Sequence, residues 1–152
     1  MQAHEESQWA SLYSTLVPQP TGDIGWQLLH RAMSTGMYLV QFTPVPAACP
    51  LCSMRETLAH IYLECARLQP HFQLFLDLLM HFWLHFSPHL LIYSHPIHGP
   101  TKSRDLLINL LLAMAKVAIY NTRERMLAEG VLCDCGAYFR SSLHSRIRAE
   151  LL

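Results

Sequence analysis

Three cysteines and one histidine fall within seventeen consecutive residues and form the pattern C-x2-C-x7-H-x4-C. The four residues are Cys49, Cys52, His60 and Cys65. Zinc takes four such ligands in a tetrahedron, and two cysteines separated by two residues can both lie in one tight turn. The spacing therefore predicts a zinc ion as cofactor. Because no further polar group stands in the place of a catalytic base, we expect a closed, structural site.

The spacing of the second ligand pair sets a geometric condition on this prediction. His60 and Cys65 lie on a predicted helix, and five residues of a regular α-helix separate two side chains by about 140° around the axis. Both side chains can reach one metal only if the helix ends or widens before Cys65. Free cysteine is among the most buried residue types, so three core thiols beside a packed histidine remain the alternative.

Composition narrows the class of protein further. Half of the chain is hydrophobic (51%) and only 14% of it is charged. This composition argues against disorder, and it favours a buried apolar core or an apolar surface that docks on a partner. The formal net charge is zero. The N-terminus lacks the pattern of a signal peptide, and the clustered cysteines favour metal ligation over disulfides. We therefore expect an intracellular protein, with nucleus and cytoplasm both open.

The periodicity of apolar residues predicts an all-α fold of about six helices and one small zinc-ordered loop. We expect a single domain over residues 1–152, with a zinc-binding segment at 44–68 and basic C-terminal helices at 101–152. Prolines and glycines separate the predicted helices. These cover residues 1–16, a segment capped by Asp23 that begins near Ile24, and residues 54–68, 71–86, 104–129 and 137–151.

The last third of the chain is mildly cationic, with eight basic and five acidic side chains in residues 101–152. Such side chains can contact nucleic-acid phosphates, and a tyrosine can stack on bases without reading their sequence. A solvated basic surface is the alternative interpretation. The candidate nucleic-acid contacts are Lys116, Tyr120, Arg123, Arg125, Arg140, Arg146 and Arg148.

Other patterns that could carry chemistry are weaker. His81 and His85 are four residues apart, but no glutamate follows the first histidine as in a metallohydrolase. Cys133 and Cys135 with His144 lack a fourth ligand, so we interpret the two cysteines as ordinary thiols.

The sequence has no nucleophile elbow and no phosphate-binding glycine loop. We therefore expect no enzyme activity and no small-molecule substrate. Apolar stretches near residues 72–93 and 106–120 are too polar or too short to favour a membrane span.

The metal-ligand pattern is part of a longer stretch of sequence that resembles a known family. Trp26–Phe42, the Cys-Pro-Leu-Cys turn, Arg55–His60 and Leu63–Cys65 together resemble the zinc-binding domain downstream of the reverse transcriptase in non-LTR (LINE-type) retrotransposons. Ala115–Arg123 resembles the helix that follows this domain. The resemblance covers residues 24–130, and its Glu-Thr-Leu-x-His context agrees as well as the ligands do.

This resemblance implies that the four cysteine and histidine residues are the family's metal ligands. It also implies a region that lies C-terminal to a polymerase and helps to handle template RNA or target DNA. The chain has no aspartate pair of a polymerase palm and is too short for that domain beside this one, so it resembles a detached retrotransposon tail. A protein-interaction scaffold that covers apolar surface with a partner or by self-association, and a relic without a selected role, stay open.

Overall fold

The structure is a computed structural model that describes residues 17, 19–68, 73–85, 87–130 and 135–151. Within these residues it contains six α-helices, one π-helical turn and one 3-10 turn, and no strand, which confirms the all-α prediction. The α-helices are α1 (Gln19–Leu29), α2 (Gly36–Leu39), α3 (Gln73–His81), α4 (Pro88–Tyr93), α5 (Lys102–Glu129) and α6 (Cys135–Leu151). The π-helical turn spans His60–Glu64 and the 3-10 turn spans Gly99–Thr101.

The central element is α5, a helix of 28 residues against which both α1 and α6 pack. Its middle turns are buried on nearly every side, with Ile108, Leu112, Ala118 and Ile119 at most 2% exposed. A helix that is apolar all round is typical of the centre of a fold rather than of its surface. The predicted helix 104–129 and the predicted last helix 137–151 are confirmed within two residues at each end.

Two prolines begin helices where we expected loops. Pro20 lies in the first turn of α1, so the predicted cap at Asp23 is wrong and that residue lies inside the helix. Pro88 opens α4, a helix that the sequence analysis missed, and the Ser87 hydroxyl caps it. Proline suits the first turn of a helix because its missing N–H has no partner there anyway. The predicted helix 1–16 lies outside the described residues.

The loop before α5 is tied to the helix by two buried polar side chains. The Asp105 carboxylate accepts hydrogen bonds from the His98 N–H and the Thr101 hydroxyl, each at 2.8 Å. The hydrogen bond from the His98 backbone is the main reason why the pKa of Asp105 falls to about 2. The Asn109 amide both donates to the His95 carbonyl (2.9 Å) and accepts from the His95 N–H (2.7 Å). These bonds fix residues 95–101 against the first turns of α5.

One continuous helical stretch, Gly99–Glu129, is long and apolar enough to cross a membrane by length and composition. In this fold, however, 56% of its most apolar window is buried inside the protein. Core helices of folded domains also pass this test when other elements cover their apolar surface. The packing of α1 and α6 on α5 therefore accounts for the apolar sequence of the stretch without a lipid environment.

The C-terminus of α5 offers a test of this helix boundary. Gly130 ends the helix in the left-handed conformation (φ 65°), and its N–H donates to the Met126 carbonyl. Space is open around its Cα, so Gly130→Ala adds only conformational strain. We expect the substitution to lower the free energy of unfolding by about 1 kcal/mol in chemical denaturation.

The matched control is Gly99→Ala, because Gly99 also has open space around it but no positive φ. This variant should stay within about 0.5 kcal/mol of the wild type. Equal stability of the two variants would contradict the assigned end of α5.

Candidate metal centre

The first two candidate ligands lie on a tight turn that is closed at its base. An isolated antiparallel bridge joins Ala48 to Arg55. Inside it, the Cys49 N–H donates to the Met54 carbonyl (2.6 Å) and the Ser53 N–H donates to the Cys49 carbonyl (2.7 Å). Ser53 takes a positive φ of 64°, which reverses the chain directly after Cys52. The predicted helix over 54–68 is therefore wrong in its first residues, because Met54 and Arg55 belong to this turn.

The other two candidate ligands stand at either end of the π-helical turn. His60 begins this turn, and the Cys65 N–H donates to the His60 carbonyl at 2.7 Å, a bond that spans five residues. Because a π-helix closes each bond over five residues rather than four, residues five apart lie nearly above one another. The helix has widened between His60 and Cys65, as the sequence spacing requires. The backbone then leaves the helical conformation at Cys65 (φ −65°, ψ 111°).

The four side chains meet at one point. One ligand atom from each of the four lies within 4.8 Å of the others, and the group as a whole could hold a metal ion. The Cys52 sulfur lies 3.2 Å from His60 Nε2 and 4.0 Å from the Cys65 sulfur. In a tetrahedral zinc site with ordinary bond lengths, a sulfur and a nitrogen ligand lie about 3.5 Å apart, and two sulfur ligands lie about 3.8 Å apart. The observed separations bracket this range, so the donor set fits such a cation.

Burial makes this cluster a closed one. Cys49, His60 and Cys65 are at most 4% exposed, and Cys52 is partly covered. Desolvation by burial raises the pKa of the Cys49 thiol to about 11 when no cation is close. A metal ion reverses this preference, because it binds the thiolate and releases the proton. Three of the four side chains are buried, and such an arrangement is suited to holding structure in place.

A buried carboxylate joins this turn to the central helix. Glu56 is 2% exposed, and its Oε1 accepts from Arg123 Nε (3.0 Å) and Nη2 (2.6 Å) on α5. Its Oε2 accepts from the Gly36 N–H at the start of α2. Burial alone would lower the pKa of Arg123, but Glu56 and the neighbouring Glu124 raise it overall. Arg123 lies 67 residues away from Glu56 in the sequence, so no local pattern indicated this pair.

Close packing of α2 supports the same junction. A Cβ on Gly36 would come within 3.1 Å of the Pro46 and Ala47 backbone, which would have to shift by a few tenths of an ångström to accept it. The Met37 N–H donates to the Glu56 carbonyl (3.1 Å), and the Glu56 N–H donates to the Ala47 carbonyl (2.9 Å). Gly36 therefore begins the short α2 in close contact with the segment that leads into the cysteine turn.

The candidate nucleic-acid residues separate into buried and exposed groups. Arg125, Arg140 and Arg148 are exposed, and Tyr120 is partly buried. Lys116 and Arg123 are 1% and 6% exposed, so neither reaches the surface on which we expected it. Desolvation lowers the pKa of Lys116 to about 8. The Arg146 side chain lies outside the described residues.

The weaker cysteine and histidine candidates of the sequence lie partly outside the described residues and partly on the surface. Cys133 and the side chain of Cys135 lie outside the described residues, and His144 is exposed on α6. His81 and His85 are exposed as well. Among the residues whose side chains the structure describes, neither His81 nor His85 belongs to a group of three or more metal-ligand side chains.

A cleft of about 590 Å³ lies between the metal-binding turn and the second half of α5. Apolar side chains on both walls include Leu39, Val45 and Leu127, and the buried Glu56–Arg123 pair lies at its base. Phe42, 70% exposed, follows α2 in sequence. This cleft gives the turn and the helix a shared surface that the sequence did not predict.

The chain is similar to a transposon protein. It is 50% identical over 146 residues to the Transposon TX1 uncharacterized 149 kDa protein of Xenopus laevis, a match that covers 96% of this chain. The chain is therefore homologous to a transposon protein, of which it spans 11% of the length. No family model matches the chain, and no solved structure is significantly similar to it.

The buried ion pair between Glu56 and Arg123 can be tested by truncation. Glu56→Ala leaves Arg123 Nε and Nη2 and the Gly36 N–H without their acceptor. Arg123 Nη1 keeps its bond to Glu124. We expect a loss of about 3–5 kcal/mol in the free energy of unfolding, measured by chemical denaturation. The control is Glu129→Ala, which removes an exposed ion pair with Arg125 and should cost less than about 0.5 kcal/mol. Similar losses in both variants would show that the buried pair does not hold the turn to α5.

Proposed function

We propose that this chain is a non-catalytic, zinc-stabilised helical module of a retrotransposon protein, and that it binds the backbone of RNA or DNA without sequence preference. The observation that carries the proposal is the buried Cys3His cluster, placed by a turn and a widened helix around one point. Homology to a transposon protein supports the retrotransposon origin. The resemblance to the zinc-binding domain of non-LTR elements supports the same assignment.

Zinc is the proposed metal because of its ligands. Thiolate and imidazole donors in a tetrahedral arrangement favour zinc over harder cations such as magnesium or calcium. Four protein ligands leave no open position for a substrate, which supports a structural role. When bound, the ion would supply folding free energy by holding the turn at residues 49–52 against the turn at residues 60–65. Cys49, Cys52, His60 and Cys65 would hold it.

The proposed nucleic-acid surface is smaller than the sequence suggested. Its members are Arg125 at the end of α5 and Arg140 and Arg148 on α6, all of them exposed. These two helices pack directly on each other. Guanidinium groups bind phosphates by charge and by hydrogen bonds, without reading bases. With only three arginines the binding should be weak, and its logarithmic salt slope on a single strand should be about −2.

The cleft beside the metal-binding turn supports a second candidate function, that of a protein-docking module. The homologous transposon protein is far longer than this chain, and apolar walls with an exposed Phe42 suit burial against another protein surface. This function does not need the arginines of α6. It becomes the preferred one if the chain fails to bind nucleic acid at low salt.

The zinc proposal predicts one zinc ion per purified chain. Cys52→Ser should lose this stoichiometric metal, measured by mass spectrometry, and should melt at a lower temperature. A strong chelator should lower the melting temperature of the wild type and raise amide exchange in residues 44–68. Cys133→Ser removes a cysteine that is not one of the four proposed ligands, and this variant should keep its zinc. A wild-type chain without metal, whose melting is unchanged by the chelator, would contradict the proposal.

The nucleic-acid proposal predicts a specific salt dependence. Binding of labelled single-stranded RNA and DNA, measured by fluorescence anisotropy, should weaken as salt rises. The double variant Arg140→Ala/Arg148→Ala removes two phosphate contacts, so its logarithmic salt slope should be smaller by about 1.4. Arg67→Ala, an exposed arginine outside the set, should keep the wild-type slope. Equal slopes in all three proteins would remove these arginines from the function.

A further inference from the structure

A second group of metal-ligand side chains lies at the beginning of α5, apart from the Cys3His cluster. His95 and His98 come from the loop before the helix, and Asp105 comes from its first turns. One ligand atom from each of the three lies within 4.8 Å of the other two. Nothing in the sequence spacing suggested this group, because its members are spread over eleven residues of loop, 3-10 turn and helix.

We propose that His95, His98 and Asp105 form a second metal site, one that is open to solvent and takes a divalent transition metal such as zinc or cobalt. Two imidazoles and one carboxylate are a donor set that zinc and neighbouring metals accept, whereas magnesium and calcium prefer oxygen alone. Three protein ligands leave at least one coordination position for water. The proposal concerns binding and does not depend on the metal of the Cys3His cluster.

The distances between these side chains are compatible with a shared cation. His95 Nε2 lies 3.2 Å from Asp105 Oδ1, within hydrogen-bond distance, and His98 Nδ1 lies 3.4 Å from Asp105 Oδ2. Tetrahedral nitrogen and oxygen ligands at ordinary zinc distances lie about 3.3–3.4 Å apart. Both imidazoles therefore lie close enough to the carboxylate to bind one cation together with it.

The carboxylate is already fixed in position by other donors. Asp105 Oδ2 accepts from the His98 backbone N–H and the Thr101 hydroxyl, both at 2.8 Å. The Asn109 amide holds the backbone of His95 by two hydrogen bonds. Hydrogen bonds from surrounding groups that orient a metal ligand are typical of protein metal sites. The ligands thus need little rearrangement when a cation binds.

The exposed fraction of the side chain increases from Asp105 to His95 to His98. A metal ion could therefore reach the group from solvent at the His98 end. The side chains of Asp105, His95 and His98 are 1%, 16% and 62% exposed. In the Cys3His cluster, by comparison, three side chains are buried and the fourth, Cys52, is partly covered. A cation that enters beside His98 would retain water, exchange readily and join the loop at residues 95–98 to α5. The site is therefore expected to bind metal more weakly than the cluster of cysteines.

The test uses the full chain as purified, with its resident zinc and without a histidine tag, titrated with Co²⁺. We expect one cobalt ion to bind per chain, with visible absorption bands but no thiolate-to-cobalt charge-transfer band. The resident zinc, counted by mass spectrometry after dialysis, should stay in place. Loss of zinc in proportion to the bound cobalt, or no bound cobalt, would overturn the proposal.

Two variants make the assignment specific. His98→Ala removes an exposed side chain while its backbone N–H still binds Asp105, so the fold should be retained. Its affinity for cobalt should fall about 10-fold or more. His85→Ala removes an exposed histidine outside both groups and should bind cobalt like the wild type. Equal cobalt affinity of His98→Ala and the wild type would also overturn the proposal.

Discussion

The convergence of the four cysteine and histidine side chains depends on a single irregularity of the backbone, the hydrogen bond from the Cys65 N–H to the His60 carbonyl across five residues. A regular α-helix would place the side chains of His60 and Cys65 about 140° apart around its axis. Wide turns of this kind are uncommon and occur mostly as single turns within helices, frequently at functional sites. Here the turn brings two candidate ligands to the same point as the other two.

Charged groups in the core differ in whether another charge neutralises them. Glu56 and Arg123 satisfy each other and tie the turn to α5, so burial gives them a fixed geometry. Lys116 is equally buried, and burial disfavours its charged form. A polar residue on the long helix is therefore not by itself a sign of a binding surface. Its position around the helix axis determines whether it reaches solvent.

Most of the local structure could be predicted from the sequence, but little of the long-range packing could. Apolar periodicity and Gly130 were enough to locate α5, and the cysteine and histidine spacing identified a cluster that the structure brings together. The two helices that open on Pro20 and Pro88 were misread, because proline at a first turn and proline after a last turn have the same local sequence. The partners of Glu56 and Asp105 depend on tertiary packing and could not be read from spacing.

The contact between Glu56 and Arg123 also bears on where this unit can be cut out of a longer polypeptide. A peptide limited to the cysteine and histidine segment would contain the four ligands, yet its glutamate would face water without its arginine. The smallest fragment that keeps every partner of that carboxylate runs from Gly36 to Arg123. A peptide that holds the four candidate ligands is therefore shorter than a fragment that also keeps the partners of this carboxylate.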